Sequence, residues 1–401
     1  MLFITTANLA TNPRLVKELR LANEQGYNAT VILFKMGNWS DKLDNNLMMD
    51  FKDVRFIQVS ALRSPFLPWL LSSLLEKLFR IFPSGILNLY MLSVAVGKRS
   101  FLLLKEIKKL NERFDWVIAH NPAAFYPACV AAGKTNASLG IDIEDYHPGE
   151  GKDVNLQKKV TRLMQAVLPG AVYCSFASPL IKEYTEKLTG QLSSKNFIVI
   201  NNNFSKYDFL IPSPEIDLKR KLRFVWFSQF IDYGRGLEKL LPLLDSVNDA
   251  VELTLIGSVR EFFFKNELAH RGYITCLPSL SQDELHKQLS GYDIGLAAED
   301  ITADVNRNIC LTNKIWAYFQ SGLYILATDT DAQKQFLQQY AGHGELIWLA
   351  GPSALAAIDS LIKKREEILA GKQSRCQDAS KYSWEKESEL LLSKWNEILA
   401  R

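Results

Sequence analysis

The strongest constraint on this chain is a unit that recurs along it: a short apolar run, a polar loop, then a segment with helical spacing. Its first copy starts at Met1. Residues 1–4 read as a buried strand, residues 5–12 as a polar loop, and Pro13 opens a helix over 15–22. Proline is tolerated in a first helical turn because the N–H it lacks would have no partner there. Gly26 ends the helix, and residues 28–34 form a second strand. Strand, helix and strand in that order make a βαβ unit, which implies a parallel sheet. Apolar runs at 115–119, 139–143, 170–178 and 197–200 continue the series, each leading into polar residues.

The pattern pauses at 204–222, where Pro212, Pro214 and the charged run 217–221 read as a linker. It then resumes with apolar runs at 222–227, 251–256, 273–277, 294–297 and 323–327. A chain of 401 residues suits two domains. The expected fold class is therefore α/β, with two Rossmann-like domains over 1–205 and 206–383. The last segment, 384–400, has the pattern of an amphipathic helix.

Composition excludes several function classes. The net charge of +3 is too small to argue for nucleic acid. Cys129, Cys174, Cys276, Cys310 and Cys376 are scattered, without CxxC pairs, as suits a reducing compartment. No HExxH or metal-ligand spacing appears, so no metal site is expected. The first loop lacks GxGxxG, which disfavours a nicotinamide enzyme. Neither a signal peptide nor a run of about 18 apolar residues is present, so a cytoplasmic location is expected.

Two segments stand out. Residues 65–110 crowd Phe66, Leu67, Trp69, Leu71, Phe79 and Phe82 among Lys77, Arg80, Lys98 and Arg99. One reading is helices packed into a core. The other is contact with a membrane surface, for which Trp69, Phe79 and Phe82 must be partly exposed beside Lys77, Arg80 or Arg99. The second segment runs from Asn306 to Thr330 as polar loop, short helix and buried strand. Thr312 or Asn313 suits an N-cap, and Gly322 sits where a C-cap glycine belongs. Asn313 and Lys314 in that first turn could hold a diphosphate, because a helix N-terminus carries free N–H groups and partial positive charge. The bland alternative is a surface helix with a solvated lysine.

Taken in order, these motifs resemble the family-4-like glycosyltransferases of the GT-B fold. Asn12-Pro13-Arg14 with 26–32 resembles their opening, as does 115–121. The run 142–150 looks like their acidic, histidine-bearing loop. Arg235-Gly236-Leu237-Glu238 resembles their lysine/arginine-glycine motif, Leu311 to Gly322 their Asn-Lys helix, and Tyr382-Ser383-Trp384-Glu385 the start of their last helix. The resemblance implies two domains facing each other across a cleft, with the C-terminal helix (384–401) crossing back to the first.

It also implies a retaining, metal-independent transfer from a nucleotide diphosphate-sugar, with no cofactor. The acceptor would be a glycan or lipid-linked molecule in polysaccharide or glycoconjugate synthesis, met on an anionic membrane surface if the enzyme is peripheral. Catalytic candidates are Arg235, Lys314, Asp142 and His147. Donor contacts are expected from Ser228, Gln229, Gly257, Ser258, Leu277, Glu299, Thr312 and Asn313. Acceptor contacts are expected from Asn8, Asn12, His120, Asn121, Glu144 and Asp145. The chain departs from the family's Glu-x7-Glu signature, having Ile309 and Ala317 there, and has Gln229 where an arginine is common. A catalytically silent protein that binds nucleotide or glycan, and a sugar-nucleotide epimerase, are the alternatives.

Overall fold

In the computed structural model, which describes residues 1–190, 196–212, 217–349 and 353–399, every strand pairing is parallel. Pro214 of the expected linker and Ala400 of the last helix lie outside the described residues. The chain divides into two compact units, Met1–Ile200 with Leu390–Arg401, and Asn201–Glu389.

The first unit contains β1 (Leu2–Thr5), β2 (Thr30–Lys35), β3 (Arg55–Ser60), β4 (Trp116–His120), β5 (Ser138–Ile143), β6 (Tyr173–Phe176) and β7 (Phe197–Val199). They lie in the order β3-β2-β1-β4-β5-β6-β7. The second contains β8 (Leu222–Ile231), β9 (Val251–Val259), β10 (Ile274–Leu277), β11 (Ile294–Ala297), β12 (Tyr324–Thr328) and β13 (Gly344–Ile347), ordered β10-β9-β8-β11-β12-β13. Each sheet reverses direction once, between β1 and β4 and between β8 and β11. Such reversal points open a crevice at the carboxyl ends of the strands, where doubly wound sheets take their ligands.

The central strands are mostly apolar because helices cover both faces. Leu2, Phe3 and Ile4, and likewise Leu296 and Ala297, have no accessible surface. Pro13 stands at the first turn of its helix, Pro13–Glu24, and the Asn12 side chain accepts from the Leu15 N–H. Two strands escape the sequence pattern, β3 and β13. Both are outermost in their sheets, and edge strands carry mixed polarity (Arg55, Gln58; Glu345) that hides the apolar run. β8 also runs past the apolar run 222–227, reaching Ile231 through a register shift between Phe227 and Phe230.

The segment 65–110 forms three helices, Phe66–Ile81, Leu89–Val96 and Arg99–Lys109. Phe79, whose partial exposure the membrane reading required, is buried as the core reading has it and packs edge-on against Tyr90, 6.2 Å between ring centroids. Phe82 is exposed, and Trp69 is half-buried with Arg63 and Lys98 each 5.2 Å from its ring. The last helix, Trp384–Leu399, begins in the second unit, where the Glu387 carboxylate accepts from the Asn201 N–H at 2.9 Å. It ends in the first, where the fully buried Trp395 donates its indole N–H to the Tyr173 hydroxyl at 2.9 Å.

Candidate active site

In the second unit the site grows from the β8/β11 reversal point. Gly257, near the end of β9, has φ +151°, and a Cβ there would lie 2.0 Å from the Ser228 carbonyl oxygen. Only glycine lets β9 approach the β8 bulge this closely. Gln229 and Ser258 are exposed nearby, and Ser258 pairs in register with Phe230. Leu277 closes β10, half-buried. After β8 the chain turns through Gly234 and Gly236, both in the left-handed region, with Arg235 between them. A Cβ on Gly236 would meet the backbone of Glu299 at 3.5 Å, so this loop lies against the end of β11.

Glu299 is the hub. Its N–H donates to Thr328 Oγ1 at 2.9 Å, which fixes its backbone. Its carboxylate is buried and accepts from Lys314 Nζ at 3.1 Å, while its other oxygen lies 3.5 Å from Arg307 Nη1. Arg307 also donates to the Gly234 carbonyl at 3.2 Å. Lys314 Nζ sits 5.6 Å from the centroid of the Trp226 ring, a second favourable contact for a cation. Lys314 is thus buried and paired, contrary to the solvated-lysine reading. Arg235 is half-buried and has no hydrogen-bond or ion-pair partner among the described residues.

The helix Asn313–Gln320 starts here. Thr312 is its N-cap, yet the buried hydroxyl makes no hydrogen bond, and Asn313 is exposed at the first turn. Ile309 and Ala317, at the positions of the family's glutamates, have no accessible surface. Arg307 was missed by sequence reasoning because 306–311 reads as a loop. It lies on a one-turn helix, Val305–Ile309, whose Asp304 cap accepts from the Arg307 N–H at 2.8 Å. That Asp-x-x-Arg cap was the available signal.

In the first unit a buried ionic network ties the strand ends together. Arg14 donates to both oxygens of Asp142, at 2.8 and 2.5 Å, and to the Ile200 carbonyl at 2.7 Å. Ser175 Oγ donates to Asp142 at 2.6 Å. His120 bridges Asp142 (3.4 Å) and Glu18 (3.3 Å) through its two ring nitrogens. Burial alone would raise the Asp142 carboxyl, but Arg14 and His120 hold it far below its usual range. Burial opposes the charge on His120, yet Glu18 and Asp142 push it up to about 9. Asn8 and Asn12 are also buried and bonded internally, Asn8 to Ser40 at 2.6 Å and Asn12 as the helix cap.

In front of this framework lies a cavity of about 580 Å3 at the β1/β4 reversal point. Thr6, Asn121, Asp145, His147, Lys98 and Arg99 are on its wall. Asn121 has φ 73° and its Oδ1 accepts from Thr5 Oγ1 at 2.7 Å, so the loop is held open toward the cavity. His147 is bonded to Glu150 at 2.6 Å; burial resists its protonation, but the Glu150 carboxylate raises it above the ordinary histidine value. Glu144 is half-buried, and burial together with the Asp145 charge pushes it up to about 7. The structure therefore brings Asn121, Asp145 and His147 to one cavity. It keeps Asn8, Asn12, His120 and Asp142 in the buried framework behind. Another cavity, about 600 Å3, lies beside the residues preceding β13 and is lined by none of the expected residues.

Two doubly wound parallel sheets, each with its polar cluster at the reversal point, define the GT-B class. Solved structures of that class match the whole chain. HepE of Anabaena, in complex with UDP, is 14% identical with a TM-score of 0.66, covering 99% of both chains. Sucrose-phosphate synthase from Thermosynechococcus elongatus is 12% identical at a TM-score of 0.66, covering 100% of this chain and 99% of its own. A glycosyltransferase from Rickettsia africae is 13% identical at 0.66, over 99% and 98%. No family model and no curated protein sequence matches the chain.

Proposed function

We propose that this protein is a glycosyltransferase that moves a sugar from a nucleotide diphosphate-sugar to a glycan or lipid-linked acceptor in surface polysaccharide or glycoconjugate synthesis. The observation that carries the reading is the meeting of Lys314 and Arg307 on Glu299, against the Arg235 loop, at the β8/β11 reversal point. As the bond from the anomeric carbon to the diphosphate breaks, negative charge grows on the bridging oxygen. Lys314, Arg307, Arg235 and the free N–H groups at Asn313 stabilise that charge, each group being worth about 10²–10³ in rate. Three cations and a helix N-terminus can do this without a divalent metal. Ser228, Gln229, Gly257, Ser258 and Leu277 would border the nucleoside. Asn121, Asp145 and His147 would orient the acceptor, and the family resemblance supports retention at the anomeric carbon.

HepE has been solved with UDP-glucose, so uridine sugars come first in the test. The experiment is a thermal-shift panel of UDP-, GDP- and ADP-sugars followed by an assay of sugar release. A bound donor at 100 times its Kd adds about 2.7 kcal/mol of stability. One nucleotide series should raise Tm, and slow hydrolysis of that sugar should accompany it. Absence of any shift across the panel would remove the donor reading. A shift with no turnover would instead select the silent binder, which the buried, uncharged Ile309 and Ala317 favour. Chelation by EDTA should leave turnover unchanged; loss of turnover would reverse the metal-free reading.

A further inference from the structure

The helix Phe66–Ile81 is apolar nearly all round, the composition of a helix buried on every side. Only one side is covered here: Ser72 and Phe79 face inward, and the helix packs against Leu89–Val96. Leu67, Leu71, Leu74, Leu78 and Ile81 form a continuous outer stripe, with Leu67 75% and Ile81 79% exposed. Phe66 and Phe82 extend it at the two ends, and Ile86 stands out beyond at 69%. A patch of this kind marks a surface that something else covers.

The charges around it show what covers it. Over residues 61–105 the basic residues are Arg63, Lys77, Arg80, Lys98, Arg99 and Lys105, against Glu76 as the one acid. Arg63, Lys77 and Arg80 are exposed beside the stripe. A second copy of the chain fits less well. The stripe has the 4-3-4-3 spacing of a coiled-coil seam, but such seams are flanked by charges of both signs that set pairing. The flanking positions here are Pro68, Leu70, Leu75, Lys77 and Phe82, so a self-pair would gain no complementary charge. At 16 residues the helix is too short to span a bilayer. It suits one lying in the interface plane, apolar face down and basic residues at the headgroups.

We infer that the helix Phe66–Ile81 seats the first unit on an anionic lipid bilayer. Glu76 of the same helix, with Lys98 and Arg99, is on the wall of the cavity that holds Asp145 and His147. Seating would therefore bring that cavity to headgroup level, where a lipid-linked acceptor carries its phosphate. This last step rests on the transferase reading; the seating does not.

The test is flotation of the full chain with vesicles of equal parts phosphatidylcholine and phosphatidylglycerol, without any nucleotide sugar. The wild type should float with them at low salt, less at high salt, and poorly with phosphatidylcholine alone. The double variant Leu71→Glu, Leu78→Glu should bind about 100-fold more weakly, because two leucines leave the membrane. Its thermal unfolding should match the wild type, since both side chains already face outward. A second variant, Arg63→Glu with Lys77→Glu, keeps the apolar stripe and should lose about tenfold or more on anionic vesicles only. Failure of the wild type to float, flotation of both variants like wild type, or a dimer that the leucine variant breaks without lipid binding would each overturn the proposal. Because no donor is present, failure here is separate from failure of the transferase reading.

Discussion

Lys314 occupies the first turn of its helix, where a cation opposes the helix dipole, and Glu299 compensates from outside the helix. The pairing fixes the position of the lysine, and Arg307 shares the same carboxylate. Lys314→Ala should therefore lower kcat/KM by about 10²–10³, and Arg235→Ala and Arg307→Ala should act in the same direction. A Lys314/Arg235 double variant should lose less than the summed free energies if both grip one diphosphate, which steady-state kinetics on the four proteins will show. Wild-type turnover in that double variant would end the assignment. The buried network of the first unit makes a different prediction. Arg14→Leu would take both guanidinium hydrogen bonds from the buried Asp142, leaving it only His120 and Ser175 as partners, and should cost about 3–5 kcal/mol in urea unfolding. His120 has a folded pKa near 9 against 6.5 when unfolded, so its contribution is complete below pH 6.5 and is lost as pH rises through 9. Glu18, raised by burial, also loses stability as pH rises. Urea midpoints should accordingly fall from pH 6.5 to 9 in the wild type. The slope should flatten in Glu18→Gln, His120→Gln, which lacks both groups.

At the scale of elements, what was legible in the sequence depends on burial. Central strands such as β1, β2, β11 and β12 announce themselves as apolar runs because both faces are covered. The edge strands β3 and β13 do not, since solvent admits polar residues there. The β8 bulge was equally hidden, because it lies against a residue distant in the chain, Gly257. Gly257→Ala should push the Ser228 carbonyl away, destabilise the β8–β9 pair and weaken donor binding; equilibrium unfolding and thermal shift with the donor would both report it. The last helix was legible as amphipathic, but not which residue anchors it. Trp395 is fully buried and hydrogen-bonded to Tyr173, so Trp395→Ala should cost about 3–5 kcal/mol in denaturant unfolding.

Across the whole molecule, the two reversal points carry different groups. The second unit pairs Lys314 and Arg307 on Glu299; the first frames a cavity with a carboxylate, a histidine and an amide. Amide hydrogen exchange can read this division. A nucleoside diphosphate should slow exchange in the 232–237 loop and at the start of the helix Asn313–Gln320. It should leave the 144–150 loop, beside the first unit's cavity, unchanged. Protection confined to the first unit would reverse the assignment of donor and acceptor.

The sequence alone determined the α/β class, the two-part chain and the strand-end positions of Arg235, Asp145 and His147. Those properties follow from local periodicity: apolar runs need cover on two faces, and the residue after such a run falls at the carboxyl edge of a sheet. Tertiary structure decided which of those residues meet. Glu299 lies 15 residues from Lys314, and Asp142 lies 128 from Arg14. No local pattern encodes such pairs, because they exist only once strands have taken their order in the sheet. For the same reason the sequence could not separate a core helix from a surface one over 66–81. The composition of the helix is the same in both cases, and only packing decides which of its faces the rest of the protein leaves bare.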